Sequence, residues 1–141
     1  MGWGDYVKIY LVSSCLLGLR TRYDGKVAAS AVCRKAVAGG ICIPVCPEQL
    51  GGLPTPRAAA DLVKGDGYDV LAGSARVVAK TGEDVTENYI RGAEQVLTIA
   101  RQQDIGEIFL KARSPSCGLA PRTGVTAALL IAEGYGVREF E

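Results

Sequence analysis

The sequence predicts an α/β fold: a single-domain layered structure, Rossmann-like, with a mostly parallel sheet flanked by helices. Three observations predict it. Short β-rich apolar runs alternate along the chain with stretches of helical periodicity, the pattern of helices laid over a parallel sheet. Each run stops at Ser, Pro, Gly or Cys, the punctuation of strand ends. The 141 residues contain no repeat, low-complexity segment or linker, which suits one core, so the domain is expected to span residues 1–141.

Taken in order, residues 7–12 (Val-Lys-Ile-Tyr-Leu-Val) form a buried strand ending at Ser13-Ser14-Cys15. Residues 18–25 hold Arg20, Arg22 and Asp24 between glycines and make a loop. Ser30 caps a helix over 31–38, stopped by Gly39-Gly40. Residues 41–45 are a second apolar run, made irregular or edge-like by Pro44 and ending at Cys46-Pro47-Glu48. Residues 51–56 (Gly-Gly-Leu-Pro-Thr-Pro) are a loop. Residues 69–80 read as a hairpin turning at Gly73-Ser74. Thr86 is the expected N-cap of the longest helix, 87–103, with Ile90, Ala93, Val96, Leu97 and Ala100 as its apolar stripe. A strand over 107–112 ends at Ser114-Pro115-Ser116-Cys117-Gly118. A helix over 125–133 and a closing strand over 137–140 complete the chain.

Composition narrows the function. Sixteen Lys and Arg stand against 15 Asp and Glu, which argues against a broad basic face gripping nucleic acid. No apolar run reaches the roughly 20 residues that cross a bilayer. Residues 7–17 are apolar but lack a basic leader and a cleavage site, so they read as a strand rather than a signal peptide. The chain is therefore expected in a reducing cytoplasm, where the five cysteines serve as ligands, reactive thiols or small core residues. The sequence has no histidine. That excludes Ser-His-Asp and Cys-His catalysis and histidine-ligated zinc, and leaves carboxylate, lysine, tyrosine or thiolate as general base. No Walker motif or dinucleotide fingerprint occurs, and nothing in the sequence sets the oligomeric state.

Cys15, Cys46 and Cys117 each fall just past an expected strand, beside Ser, Pro or Gly. In a parallel sheet those strand ends converge on one edge, where ligands bind. Cys33, on a helix face, and Cys42, inside an apolar run, read as core thiols. Structural zinc wants four protein ligands, and a fourth is not evident unless Cys33 or Cys42 joins. A [4Fe–4S] cluster held by three thiolates leaves one iron open to act as a Lewis acid. Core packing is the plainer alternative for all five.

Six segments occur here in a telling order: Val-Ser-Ser-Cys-Leu-Leu-Gly at 12–18, Arg-Tyr-Asp-Gly at 22–25, Pro-Val-Cys-Pro-Glu at 44–48, Gly-Gly-Leu-Pro-Thr-Pro-Arg at 51–57, Gly-Asp-Gly at 65–67, and Lys-Ala-Arg-Ser-Pro-Ser-Cys-Gly at 111–118. From about Val7 to the C-terminus the chain resembles the bacterial and archaeal family once catalogued as domain of unknown function 523, which includes the thiouracil desulfidases. The resemblance implies a [4Fe–4S] cluster on Cys15, Cys46 and Cys117 with one open iron. It also implies removal of sulfur from a thiolated pyrimidine, base or nucleoside, with tRNA less expected. Glu48 and Ser114 match positions associated with catalysis. Glu48 would activate a water, the carboxylate base that the lack of histidine demands, and Ser114 would orient it or relay a proton. Arg22, Arg57 and Lys111 would hold carbonyl oxygens or a phosphate. Tyr23-Asp24-Gly25 and Gly65-Asp66-Gly67 are turns first. Relatives carry a longer segment after Cys117, where this chain has only Leu119-Ala120-Pro121-Arg122-Thr123 before Gly124. The alternative function is a non-catalytic iron–sulfur redox sensor or sulfur carrier, which needs no acid–base group beside its thiols.

Overall fold

The computed structural model describes residues 7–141, so residues 1–6 of the expected domain lie outside the described part. Four strands form one parallel sheet: β1 (Ile9–Ser13), β2 (Ile41–Val45), β5 (Ile105–Lys111) and β6 (Val137–Phe140), in the spatial order β2-β1-β5-β6. Pairing is parallel throughout, with Ile9 to Ser13 beside Ile41 to Val45 on one side and Ile9 to Val12 beside residues of β5 on the other. Pro44 lies on β2, an edge strand, where its missing N–H costs no ladder bond.

Side chains alternate across the sheet and build a core on each face. Leu11, Ile108 and Leu110 pack with Val96, Leu97 and Ala100 of helix α4 (Thr86–Gln102) and Ala127 and Leu130 of helix α5 (Val125–Ala132). Tyr10, Val12 and Phe109 face the other way, against Cys33 and Val37 at helix α1 (Ala31–Ala36). Ser30 caps α1 as expected, its Oγ accepting from the Cys33 N–H at 3.1 Å. The expected stripe of α4 is the buried one, with Tyr89 and Gly92 added to it and Ile90 half-buried.

Residues 69–80 are not a hairpin. Residues 67–72 form helix α3 (Gly67–Ala72), and the antiparallel partner of β4 (Arg76–Ala79) is β3 (Ala60–Val63). The reason lies at the ends of α3. Asp66 and Asp69 make a reciprocal capping box at its start, and Gly73, at φ 87°, closes it in the left-handed conformation. The Gly-Asp-Gly turn is thus a helix start. Thr86 is not an N-cap either. Val85 holds that position, and the Thr86 Oγ1 instead accepts from the Val77 N–H at 2.8 Å, tying α4 to β4. Asp84 takes the Thr86 N–H at 2.9 Å.

The sequence after Cys46 winds into a short helix, α2 (Pro47–Leu50), that rests directly on α4. Gly92 permits this contact, since a methyl group there would overlap the carbonyl oxygen of Pro47. Gly51 plays the matching part against the carbonyl of Asn88. Gly92→Ala should therefore push α2 off α4 and lower stability by about 1–3 kcal/mol. A thermal melt that shows no loss of Tm would contradict this packing account.

Candidate functional site

The site sits at the C-terminal edge of three adjacent parallel strands. β1 ends in a single 3-10 turn, Ser14–Leu17, that carries Cys15 and closes on Gly18 at φ 92°. β2 ends at Cys46, which starts α2 and places Glu48 in its first turn. β5 leads into the loop that bears Ser114, Ser116 and Cys117. With β1 between β2 and β5, the three thiols reach one cavity of about 340 Å³, together with Glu48, Arg57 and Tyr89. Arg22, Lys111 and Ser114 line it as well. Cys33 is buried in the core on the α1 face of the sheet, and Cys42 is half-buried on β2.

Two of the three cavity sulfurs, those of Cys46 and Cys117, have polar partners. Ser13 Oγ donates to Cys117 Sγ at 3.4 Å and accepts from the Lys111 N–H at 2.9 Å. Cys46 Sγ lies 3.5 Å from Glu48 Oε1, 3.6 Å from the Thr21 carbonyl and 3.8 Å from Arg57 Nη2. Burial, and then the Glu48 charge, raise all three thiols, Cys46 to about 11 and Cys117 to about 12. Opposing these, Lys111 and Arg22 favour the Cys15 thiolate, and the Gln49 N–H and Arg57 favour that of Cys46. The protein alone thus holds thiols, and a bound cation must displace their protons. Alkylation of Cys46 by iodoacetamide in metal-free protein should accelerate roughly tenfold per pH unit above neutrality, levelling off at about 11. A rate already flat at pH 8 would refute that shift.

Glu48 is 8% exposed and held on both oxygens. Ser116 Oγ donates to its Oε2 at 2.7 Å, and Arg57 Nη2 lies 3.8 Å from its Oε1. Ser114 stands one step further back. Its Oγ is 3.0 Å from Ser116 Oγ and accepts from the N–H groups of Ser116 and Cys117 at 3.2 and 3.1 Å. Ser116 is the residue that sequence reasoning missed, although its place beside Cys117 was a signal. The Arg57 guanidinium is engaged by protein, reaching the Thr21 carbonyl at 3.0 Å and Thr55 Oγ1 at 2.8 Å besides Glu48. Arg22 pairs with Asp24 at 3.1 Å, and Lys111 Nζ donates to the Ala112 carbonyl at 3.2 Å.

Three thiols, a carboxylate and no histidine make a soft donor set that suits iron with sulfur. Among the described residues no three Cys, Asp or Glu side chains are gathered tightly enough to hold a single metal ion. Thiolates sharing one zinc crowd round it at ~2.3 Å each, whereas a cluster offers each thiolate its own iron. Cys15, Cys46 and Cys117 line one cavity, as ligands to separate irons of one cluster would. No described helix is long and apolar enough to cross a membrane.

A family model described as 2-thiouracil desulfurase matches residues 10–139. The chain is 45% identical over 139 residues to the uncharacterized protein YbbK of Bacillus subtilis strain 168, covering 90% of this chain and 92% of that one. A solved structure described as the [4Fe-4S]-dependent thiouracil desulfidase TudS superposes with a TM-score of 0.76 at 36% identity, covering 95% of this chain and 91% of the other.

Proposed function

We propose, from the premise that this chain belongs to the 2-thiouracil desulfurase family, that it acts as one domain to remove sulfur from a thiolated pyrimidine base or nucleoside. In this reading Cys15, Cys46 and Cys117 hold a [4Fe–4S] cluster. The observation that carries it is the single cavity in which three thiols face a carboxylate braced by Ser116 and Arg57. A redox sensor or sulfur carrier has no use for such a carboxylate.

The reaction is a hydrolysis. A thiocarbonyl and water give a carbonyl and hydrogen sulfide, with no net redox change. When bound, the cluster supplies an iron without a protein ligand, a Lewis acid toward sulfur. Glu48 takes the proton of the attacking water, the only acid–base role that the side chains around the thiols offer a carboxylate. Ser116 fixes Oε2, Ser114 backs Ser116, and Arg57 fixes Oε1, so the base is oriented before substrate arrives. Arg22 and Lys111 are the cavity's cations for the remaining carbonyl oxygen or a phosphate. The near balance of charge favours a small substrate over tRNA, and a reducing cytoplasm is the compartment that the free thiols require.

The test is anaerobic reconstitution followed by incubation with 2-thiouracil, 4-thiouracil and their nucleosides, with sulfide and desulfurised pyrimidine quantified. Stoichiometric release of both supports the reading. A fully loaded protein that frees no sulfide from any of the four would sink it in favour of the sensor or carrier.

A further inference from the structure

Tyr89 belongs to the buried stripe of α4 yet also lines the thiol cavity. Its ring packs with Val85, Ala93 and Val125 in the core between α4 and the β3–β4 pair, and the residue is only 4% exposed. Its hydroxyl end is different. The residue shares its cavity with Glu48, Arg57, Cys46 and Cys117, and the charges of all four reach its hydroxyl. No described group forms a hydrogen bond with it. Among the described residues, Thr126 Oγ1 is the one fully enclosed side-chain polar atom that lacks a partner. The Tyr89 hydroxyl, also without a partner, is therefore not sealed in protein but open to the cavity.

A hydroxyl that opens on a cavity is free to donate to whatever occupies it, water in the resting protein and substrate when bound. We propose that the Tyr89 phenol is the hydrogen-bond donor for the oxygen delivered to the reacting carbon, and that it holds the new carbonyl oxygen of the pyrimidine product. This rests on the desulfidase reading above. The balance of the step is simple. Water forms a C–O bond at the thiocarbonyl carbon and gives one proton to Glu48, while the electron pair of the thiocarbonyl passes to sulfur. As the C–S bond breaks, the remaining hydroxyl proton leaves the oxygen for the departing sulfur, which with the proton held by Glu48 goes out as hydrogen sulfide. The oxygen gains negative charge as that second proton leaves, and the phenol meets it without transferring its own proton. Burial and the Glu48 charge both raise the ionisation of Tyr89, so it stays a neutral donor across the working range. Preorganised donors of this kind act in a dry site, where they are strongest. The placement follows from α2 resting on α4: Gly92 seats the Pro47 carbonyl, and Glu48 of α2 and Tyr89 of α4 come to line one cavity.

Tyr89→Phe tests it in anaerobically reconstituted protein. The expected result is a kcat for sulfide release lowered about 100-fold with KM little changed, since the contact strengthens as charge develops. Uracil, titrated calorimetrically, should bind the variant about tenfold more weakly. Iron content, visible absorbance and Tm should be those of wild type, because the hydroxyl supports no part of the fold. A kcat within twofold of wild type, or a loss of activity accompanied by loss of iron or a lower Tm, would overturn the proposal. If wild type itself releases no sulfide, the desulfidase reading fails on its own account. Equal uracil affinity in the two proteins then rejects the role of Tyr89 independently.

Discussion

Serine at position 117 should leave a folded protein that cannot hold iron. Cys117 is 3% exposed and lies at the foot of the cavity between Ser13 and Ser116, whose hydroxyls sit 3.4 and 3.5 Å from its sulfur. A serine there keeps the size and the hydrogen bonds but replaces a soft thiolate with a hard hydroxyl, a poor ligand for a cluster. Anaerobic reconstitution of Cys117→Ser should leave iron and sulfide far below the roughly four per chain of a loaded site, with the brown absorbance and sulfide release both lost. Cys15→Ser and Cys46→Ser should behave alike. Cys42→Ser should keep the full cluster, because Cys42 packs against the α1 core and does not line the cavity. Cys33→Ser should also keep it, though placing a hydroxyl in that fully buried core costs about 1–3 kcal/mol of stability. Full iron in any of the first three variants would break the ligand assignment. So would loss of iron in Cys42→Ser.

That contrast was legible from position alone. A cysteine just after a β-rich run is at a strand end, and parallel strand ends meet. The inference is local and needs no knowledge of pairing order, so it separated Cys15, Cys46 and Cys117 from Cys33 and Cys42. Glu48 came from the family resemblance, and its place beside Cys46 and the absence of histidine agreed with it. The Ser116 contact to Glu48 was not legible, because it joins residues 68 apart and depends on how the loop after β5 falls across α2. The burial of Arg57 was equally hidden. Nothing in Pro-Thr-Pro-Arg says that the loop folds back until the guanidinium reaches the Thr21 carbonyl and its side chain is 8% exposed. The misread hairpin has a similar cause. Ala60–Val63 is too short to announce a strand, while Val70-Leu71 is apolar enough to suggest one, and the Asp66–Asp69 capping box decided the contest. Thr86 has a hydroxyl fit for a cap, but the strand beside it offered a buried N–H that needed an acceptor more. In each case the missing information was a long-range contact, and local propensity gave way to it.

Glu48→Gln should keep its cluster and lose its chemistry. The amide has the size of the carboxylate and can still accept from Ser116, but it has no basicity with which to take a proton from water. Removing a positioned general base lowers rates by about 10²–10⁴-fold, or roughly 3–5 kcal/mol in the barrier. The change also leaves the Arg57 guanidinium, 3.8 Å away and 8% exposed, without its anion. Breaking such a pair costs stability, so the Tm of the variant should fall even as its iron content stays at the wild-type level. These two effects separate through Glu48→Asp, which restores the charge on a shorter arm. It should recover most of the Tm and only part of the rate, because proton transfer depends on position and the ion pair does not. If Glu48→Gln instead turns over within threefold of wild type, the carboxylate serves Arg57 alone and the base must be sought elsewhere in the cavity. Ser116→Ala then isolates orientation from basicity. It removes the 2.7 Å bond to Oε2 while leaving the charge in place, so kcat should drop by about tenfold, well short of the Glu48→Gln loss. A drop as deep as that of Glu48→Gln would mean that the serine moves the proton itself.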